Sequence, residues 1–146
     1  MDRAGLLKFW NDAWNEGLWA AAWSKSVADL TPEQAAWKPA AERHSIWQIV
    51  SHMIFWRRNE LRRLDTGVAP TQEEIARLNF PEPAEVSANA WRKTVRELEE
   101  TQQRIAAAMA DERMRIQRVA YLLPHDCYHF GQISYLRALL GLKPIE

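Results

Sequence analysis

The segment Leu123-Pro-His-Asp-Cys-Tyr-His-Phe-Gly-Gln-Ile133 carries two histidines, His125 and His129, four residues apart. Apolar side chains flank them: Tyr121 and Leu122 before, then Tyr135, Leu136, Leu139 and Leu140 after. This spacing specifies a helix with a buried face. On a helix, residues i and i+4 lie one above the other. The two imidazoles therefore share a face that points into the protein. A pair so placed can grip one metal ion. It can equally be two satisfied core histidines, because a lone imidazole on an apolar face is more often packed than ligating.

Working outward, the helix that holds this segment is expected over 113–140, with Gly141 and Pro144 as its stop. Pro124 lies inside that range. There it would remove a hydrogen bond to the carbonyl of Ala120 and favour a kink. Upstream, 84–110 reads as another helix, with Val86, Ala90, Trp91, Val95, Leu98, Ile105 and Met109 at helical spacing. Ser45 is a good N-cap for a helix over 45–65 that ends near Gly67 and Pro70. Its buried stripe is Ile46, Ile49, Val50, Met53 and Trp56, and His52 shares it. Arg57, Arg58, Arg62 and Arg63 read as a solvated basic end that the helix dipole favours. The first helix is expected over 2–29, apolar around much of its circumference and so buried on more than one side.

The connections are long. Residues 30–44 contain Thr31-Pro-Glu-Gln, a start for one short helical turn, and Trp37 as an anchor to the body. Residues 66–83 hold three prolines and one expected turn at Gln72–Leu78. No period-two alternation occurs, so the fold class is all-α, with a four-helix bundle as the leading architecture. At 146 residues, one domain spanning 1–146 is expected.

Composition excludes several functions. Lys and Arg number 19, as do Asp and Glu, giving zero formal net charge. No basic excess marks a nucleic-acid binder. No apolar run is long enough for a membrane span. Cys127 is the sole cysteine, so no intrachain disulfide can form. With no basic-then-apolar leader after Met1, a cytoplasmic setting is expected.

Three of the four histidines, His52, His125 and His129, fall on stripes that face the interior. Bundle cores are established places for metal sites. Three neutral imidazoles around a divalent ion leave a position open, as catalytic sites do, whereas structural zinc normally has four protein ligands. His44 precedes the N-cap and reads as a boundary residue near a pocket mouth. Asp126 is about 100° around the helix from His125, outside the ligand set, and either orients a histidine or forms a salt bridge elsewhere. Gln132, three after His129, is expected to support a ligand from behind, to contact a metal-bound water or substrate, or only to fill a packing gap. Cys127 reads as a buried structural cysteine, and Tyr128 and Tyr135 as packing or interface residues.

His125-Asp-Cys-Tyr-His-Phe-Gly-Gln-Ile133 with Leu136-Arg-Ala-Leu-Leu-Gly141 resembles the last helix of the DinB/YfiT-like superfamily. His44-Ser-Ile-Trp-Gln-Ile-Val-Ser-His-Met53 with Trp56 resembles that family's second helix. The resemblance implies a four-helix bundle with up-down-down-up connectivity. It also implies one divalent metal per chain (zinc, nickel or iron) on His52, His125 and His129, and a homodimer. Family members act as thiol S-transferases, a thiol-dependent isomerase or metal-dependent hydrolases. The implied partner is a small-molecule substrate, with a low-molecular-weight thiol foremost. The other reading is a bundle dimer that holds metal or ligand without turnover.

Overall fold

The computed structural model describes residues 2–145. They form seven α-helices and one 3-10 turn: α1 (Arg3–Asn15), α2 (Trp23–Val27), α3 (Pro32–Ala36), α4 (Ile46–Thr66), α5 (Gln72–Leu78), α6 (Ala88–Ala110), the turn (Val119–Tyr121) and α7 (Leu122–Leu139). Among the described residues there is no strand, so the chain is all-helical, as its periodicity demands.

The ends of α4 show how local chemistry sets the frame. The Ser45 hydroxyl accepts from the Gln48 amide, and the Gln48 side chain accepts from the Ser45 amide. This capping box fixes the helix start about two turns before His52. Gly67, at φ 73°, closes the other end in the left-handed conformation. Thr31 and Thr71 build the same box at α3 and α5. The short helical segment expected at 72–78 forms at those bounds.

The four long helices, α1, α4, α6 and α7, enclose one apolar core. Trp10, Ile46, Met53, Leu98, Ile105, Met109 and Ile133 have no appreciable exposure. Helices α1 and α6 are tied reciprocally: Trp10 Nε1 donates to the Gln102 carbonyl at 3.0 Å, and Gln102 Nε2 donates to the Trp10 carbonyl at 3.1 Å. Arg137 of α7 donates to the carbonyls of Ser26 and Ala28 and so anchors the C-terminal end of α2.

Several expectations change. The first helix does not run over 2–29 but stops at Asn15, and the chain restarts at Trp23. Gly17 sits at φ 86°, where a Cβ would meet the Ala20 carbonyl oxygen at 1.9 Å. The apolar pattern continues through this break, but Trp19 points fully into solvent. Helix α6 begins at Ala88, capped by Ser87, and Val86 is left exposed. Ala35, with no exposure, seats the α3 segment more deeply than Trp37 does. Helix α7 begins at Leu122, so Pro124 occupies its first turn. First-turn amides have no intrahelical acceptor, and the missing N–H of proline costs nothing there. No kink is required.

A three-histidine cluster as candidate metal centre

The buried stripe of α4 carries His52 inward, with its neighbours Ile49 and Met53 also buried. Helix α7 supplies His129, buried, and His125, half-buried, one turn earlier. Their rings meet: centroids of His125 and His129 are 4.5 Å apart, and those of His52 and His129 also 4.5 Å. His52 Nε2 lies 3.1 Å from His125 Nε2. One nitrogen from each of the three residues falls within 4.8 Å of the others, close enough for the cluster to hold a metal ion.

Each Nδ1 has an oxygen partner. His52 Nδ1 meets Asn79 Oδ1 at 2.8 Å and the Asn79 carbonyl at 3.1 Å. Trp56 Nε1 also donates to Asn79 Oδ1, at 2.9 Å. An indole only donates and a carbonyl only accepts, so His52 Nδ1 is the donor. His125 Nδ1 donates to the Asp126 carboxylate at 2.8 Å, and His129 Nδ1 to Gln132 Oε1 at 2.7 Å. In a neutral imidazole with a protonated Nδ1, Nε2 carries a lone pair. Three such lone pairs face one another here. Uncompensated, they repel; a cation between them turns repulsion into ligation. The donor set therefore fits a divalent ion, and oxygen partners on Nδ1 are the usual orienting arrangement of metal-bound histidines.

The electrostatics agree. Burial holds the His52 imidazole down to about 4, with the nearby His129 and His125 lowering it further and Asn79 opposing them. Burial also lowers His129, against the raising effect of Gln132. Both rings are thus kept neutral at physiological pH, the form in which imidazole ligates.

A cleft of about 540 Å³ opens over the three imidazoles, walled by Trp56, Tyr121, Leu122 and Tyr128. At its far end Arg118 donates from Nε and Nη2 to Glu60, each at 3.1 Å. Glu60 follows His52 by eight residues on the same stripe of α4. A larger cavity of about 890 Å³, mostly apolar, lies on the other side of Tyr128 and is bordered by His44, Cys127 and Gln132. The smaller cleft is the one in contact with the cluster, and chemistry at the histidines would take place there.

The sequence residues fare unevenly. His52, His125 and His129 come together, and His44 stays outside, stacked on Phe80, which in turn stacks on His52. Asp126 does both things considered for it: Oδ1 orients His125, while Oδ2 accepts from Arg57 Nε at 2.7 Å. Gln132 holds the His129 ring, one of the roles considered for it, and donates to the Tyr128 hydroxyl. Cys127 is exposed, not buried. Desolvation, and then the charge of Asp126, push its thiol up, which does not suit a nucleophile. Arg57 is fully buried, so it does not belong to a solvated basic end. Its place four residues after Met53 continues the buried stripe and was the available signal. Asn79 was missed. The capping box at Thr71 locates α5, and with it a residue at the α5 C-terminus, but not the direction in which that residue points.

Comparison with protein families places the chain. The DinB superfamily matches residues 17–133, most of the sequence, and the chain belongs to that superfamily. No curated protein and no solved structure matches it.

Proposed function

We propose that this member of the DinB superfamily holds one divalent metal ion per chain on Nε2 of His52, His125 and His129. We propose further that it is a metal-dependent enzyme, a thiol S-transferase or hydrolase, acting on a small molecule in the adjoining cleft. The observation that carries the reading is the convergence of three Nε2 lone pairs, each enforced by an oxygen on the opposite ring nitrogen.

A divalent ion held by three neutral ligands supplies Lewis-acid chemistry in its remaining position and lowers the pKa of a thiol or water bound there. The protein's part is to orient and to shield. Asn79, Asp126 and Gln132 fix the three rings. Trp56 and Leu122 make one side of the cleft apolar, so a thiolate there is sparsely hydrated, which strengthens every charge interaction it makes. Tyr128 accepts a hydrogen bond from Gln132 Nε2 at 3.1 Å, which leaves its hydroxyl proton free for a bound ligand. Imidazole donors suit zinc, nickel and iron. The four long helices are read as the superfamily's up-down-down-up bundle in a single domain. The exposed Tyr135 and Leu139 of α7 are read as the face of a homodimer. The lone exposed thiol suits a reducing, cytoplasmic compartment.

The test is substitution with cobalt. Four-coordinate cobalt on three imidazoles gives an intense visible spectrum. Addition of a low-molecular-weight thiol should add a sulfur-to-metal charge-transfer band. A cobalt spectrum that no thiol changes, in a protein without turnover of thiol-acceptor or ester and amide substrates, would favour a binding bundle without catalysis.

A further inference from the structure

We infer that Arg57 and Asp126 form a buried positioning pair that sets the orientation and donor strength of His125, making it the dominant ligand of the three. The inference rests on the three-histidine reading above.

The three Nδ1 partners are not equivalent. His52 and His129 face neutral amide and carbonyl oxygens of Asn79 and Gln132. His125 alone faces a carboxylate. A hydrogen bond to an ionised acceptor is roughly twice as strong as a neutral one, and it raises the electron density left at Nε2. Asp126 has no exposed surface, and neither does Arg57. Arg57 holds that carboxylate in place, donating from Nε to Oδ2 at 2.7 Å and leaving Oδ1 for His125.

Arg57 is itself fixed from three sides. Nη1 donates to the Leu98 carbonyl at 3.2 Å and to Thr101 Oγ1 at 3.3 Å, both on α6. Its guanidinium carbon lies 4.9 Å from the centre of the Trp10 ring on α1 and 5.9 Å from that of Trp23 on α2. A chain of contacts thus runs from the bundle core through Arg57 and Asp126 to one ring nitrogen. Only His125 is half-exposed, next to the cleft. It is the ring that solvent would loosen most, and it is the ring given the charged anchor. Asp126 neighbours His125 in sequence and is directed about 100° away around α7, so its carboxylate reaches Nδ1 and stays clear of the Nε2 side.

The experiment compares the wild-type chain with two double variants that remove both buried charges together. Replacing a whole buried ion pair by apolar groups is often neutral for folding, whereas breaking one partner is not. Arg57→Met/Asp126→Asn keeps an acceptor oxygen for His125 but removes the charge. Arg57→Met/Asp126→Leu removes both. Zinc dissociation constants are measured by competition with a chromophoric chelator, and the His125 tautomer is read from ring nitrogen NMR shifts in metal-free protein. Affinity is expected to fall about 10-fold in the first variant and about 100-fold in the second, the range found for lost orienting partners. The second should also lose the Nδ1-protonated tautomer of His125, a change that a purely structural ion pair would not produce. Unchanged affinity and tautomer in the second variant would overturn the inference alone. A wild-type chain that takes up no zinc would remove the three-histidine reading, and this inference with it.

Discussion

His52 and His125, 73 residues apart in sequence, bring their Nε2 atoms to 3.1 Å. Neither nitrogen has a proton to share when its ring is neutral, because each ring's single proton is committed to Nδ1. Two nitrogens bonded to one zinc at the tetrahedral angle stand roughly 3.3–3.4 Å apart. The spacing in the protein is therefore close to what ligation needs, without movement of either helix.

This geometry predicts a stability gain on metal addition. Zinc at a hundredfold excess over its dissociation constant should stabilise the fold by about 2.7 kcal/mol, several degrees in melting temperature. A chelator should reverse the gain. His129→Ala should abolish it while leaving the metal-free chain folded. Calorimetry with and without zinc checks this.

The pH dependence follows from the same rings. Free imidazole takes up a proton near pH 6.5, whereas folded His52 resists until about 4. Between those values the unfolded chain binds more protons than the folded one, so stability falls as pH falls through this window and is fully present above it. His129, also lowered by burial, adds to the effect in the same direction. Melting temperatures of metal-free protein across this range should drop on acidification, and His52→Gln should flatten the slope.

Asn79 holds both His52 and Trp56 through one side-chain oxygen. Asn79→Ala should weaken zinc binding about 10–100-fold by freeing the His52 ring, with a smaller loss of stability from the unpaired indole N–H. Chelator competition measures the first effect and chemical denaturation the second.

Two glycines should respond oppositely to alanine. Gly17→Ala forces a side chain into positive φ and against the Ala20 carbonyl. It should cost more than the roughly 1–2 kcal/mol of the backbone conformation alone. Gly131, inside α7, has open space where a Cβ would go, and Gly131→Ala should stabilise by about 0.5–1 kcal/mol. Denaturant midpoints distinguish them.

How far the sequence reached depended on the range of the interactions. The starts of α3 and α4 were legible, because Thr31 with Gln34 and Ser45 with Gln48 act across three residues. The histidine pair on α7 was legible from its spacing, and His52 from its stripe. The break at Gly17 was not, because Leu18 and Trp19 continue an apolar pattern that the structure leaves outside the core. The start of α7 was missed because irregular turns over 113–118 and a 3-10 turn at Val119–Tyr121 replace the expected helix before it. Arg57 and Asn79 were misread or missed for a different reason. Their roles come from partners 69 and 27 residues away, and nothing local to either residue encodes the contact.

The most direct measurement is metal content by mass spectrometry of tag-free protein, beside His52→Ala and His129→Ala. Close to one divalent metal ion per wild-type chain is expected, with a loss of it in both variants. No metal in the wild-type chain, even after reconstitution with zinc, nickel and iron, would contradict it and leave the three histidines as packed core residues.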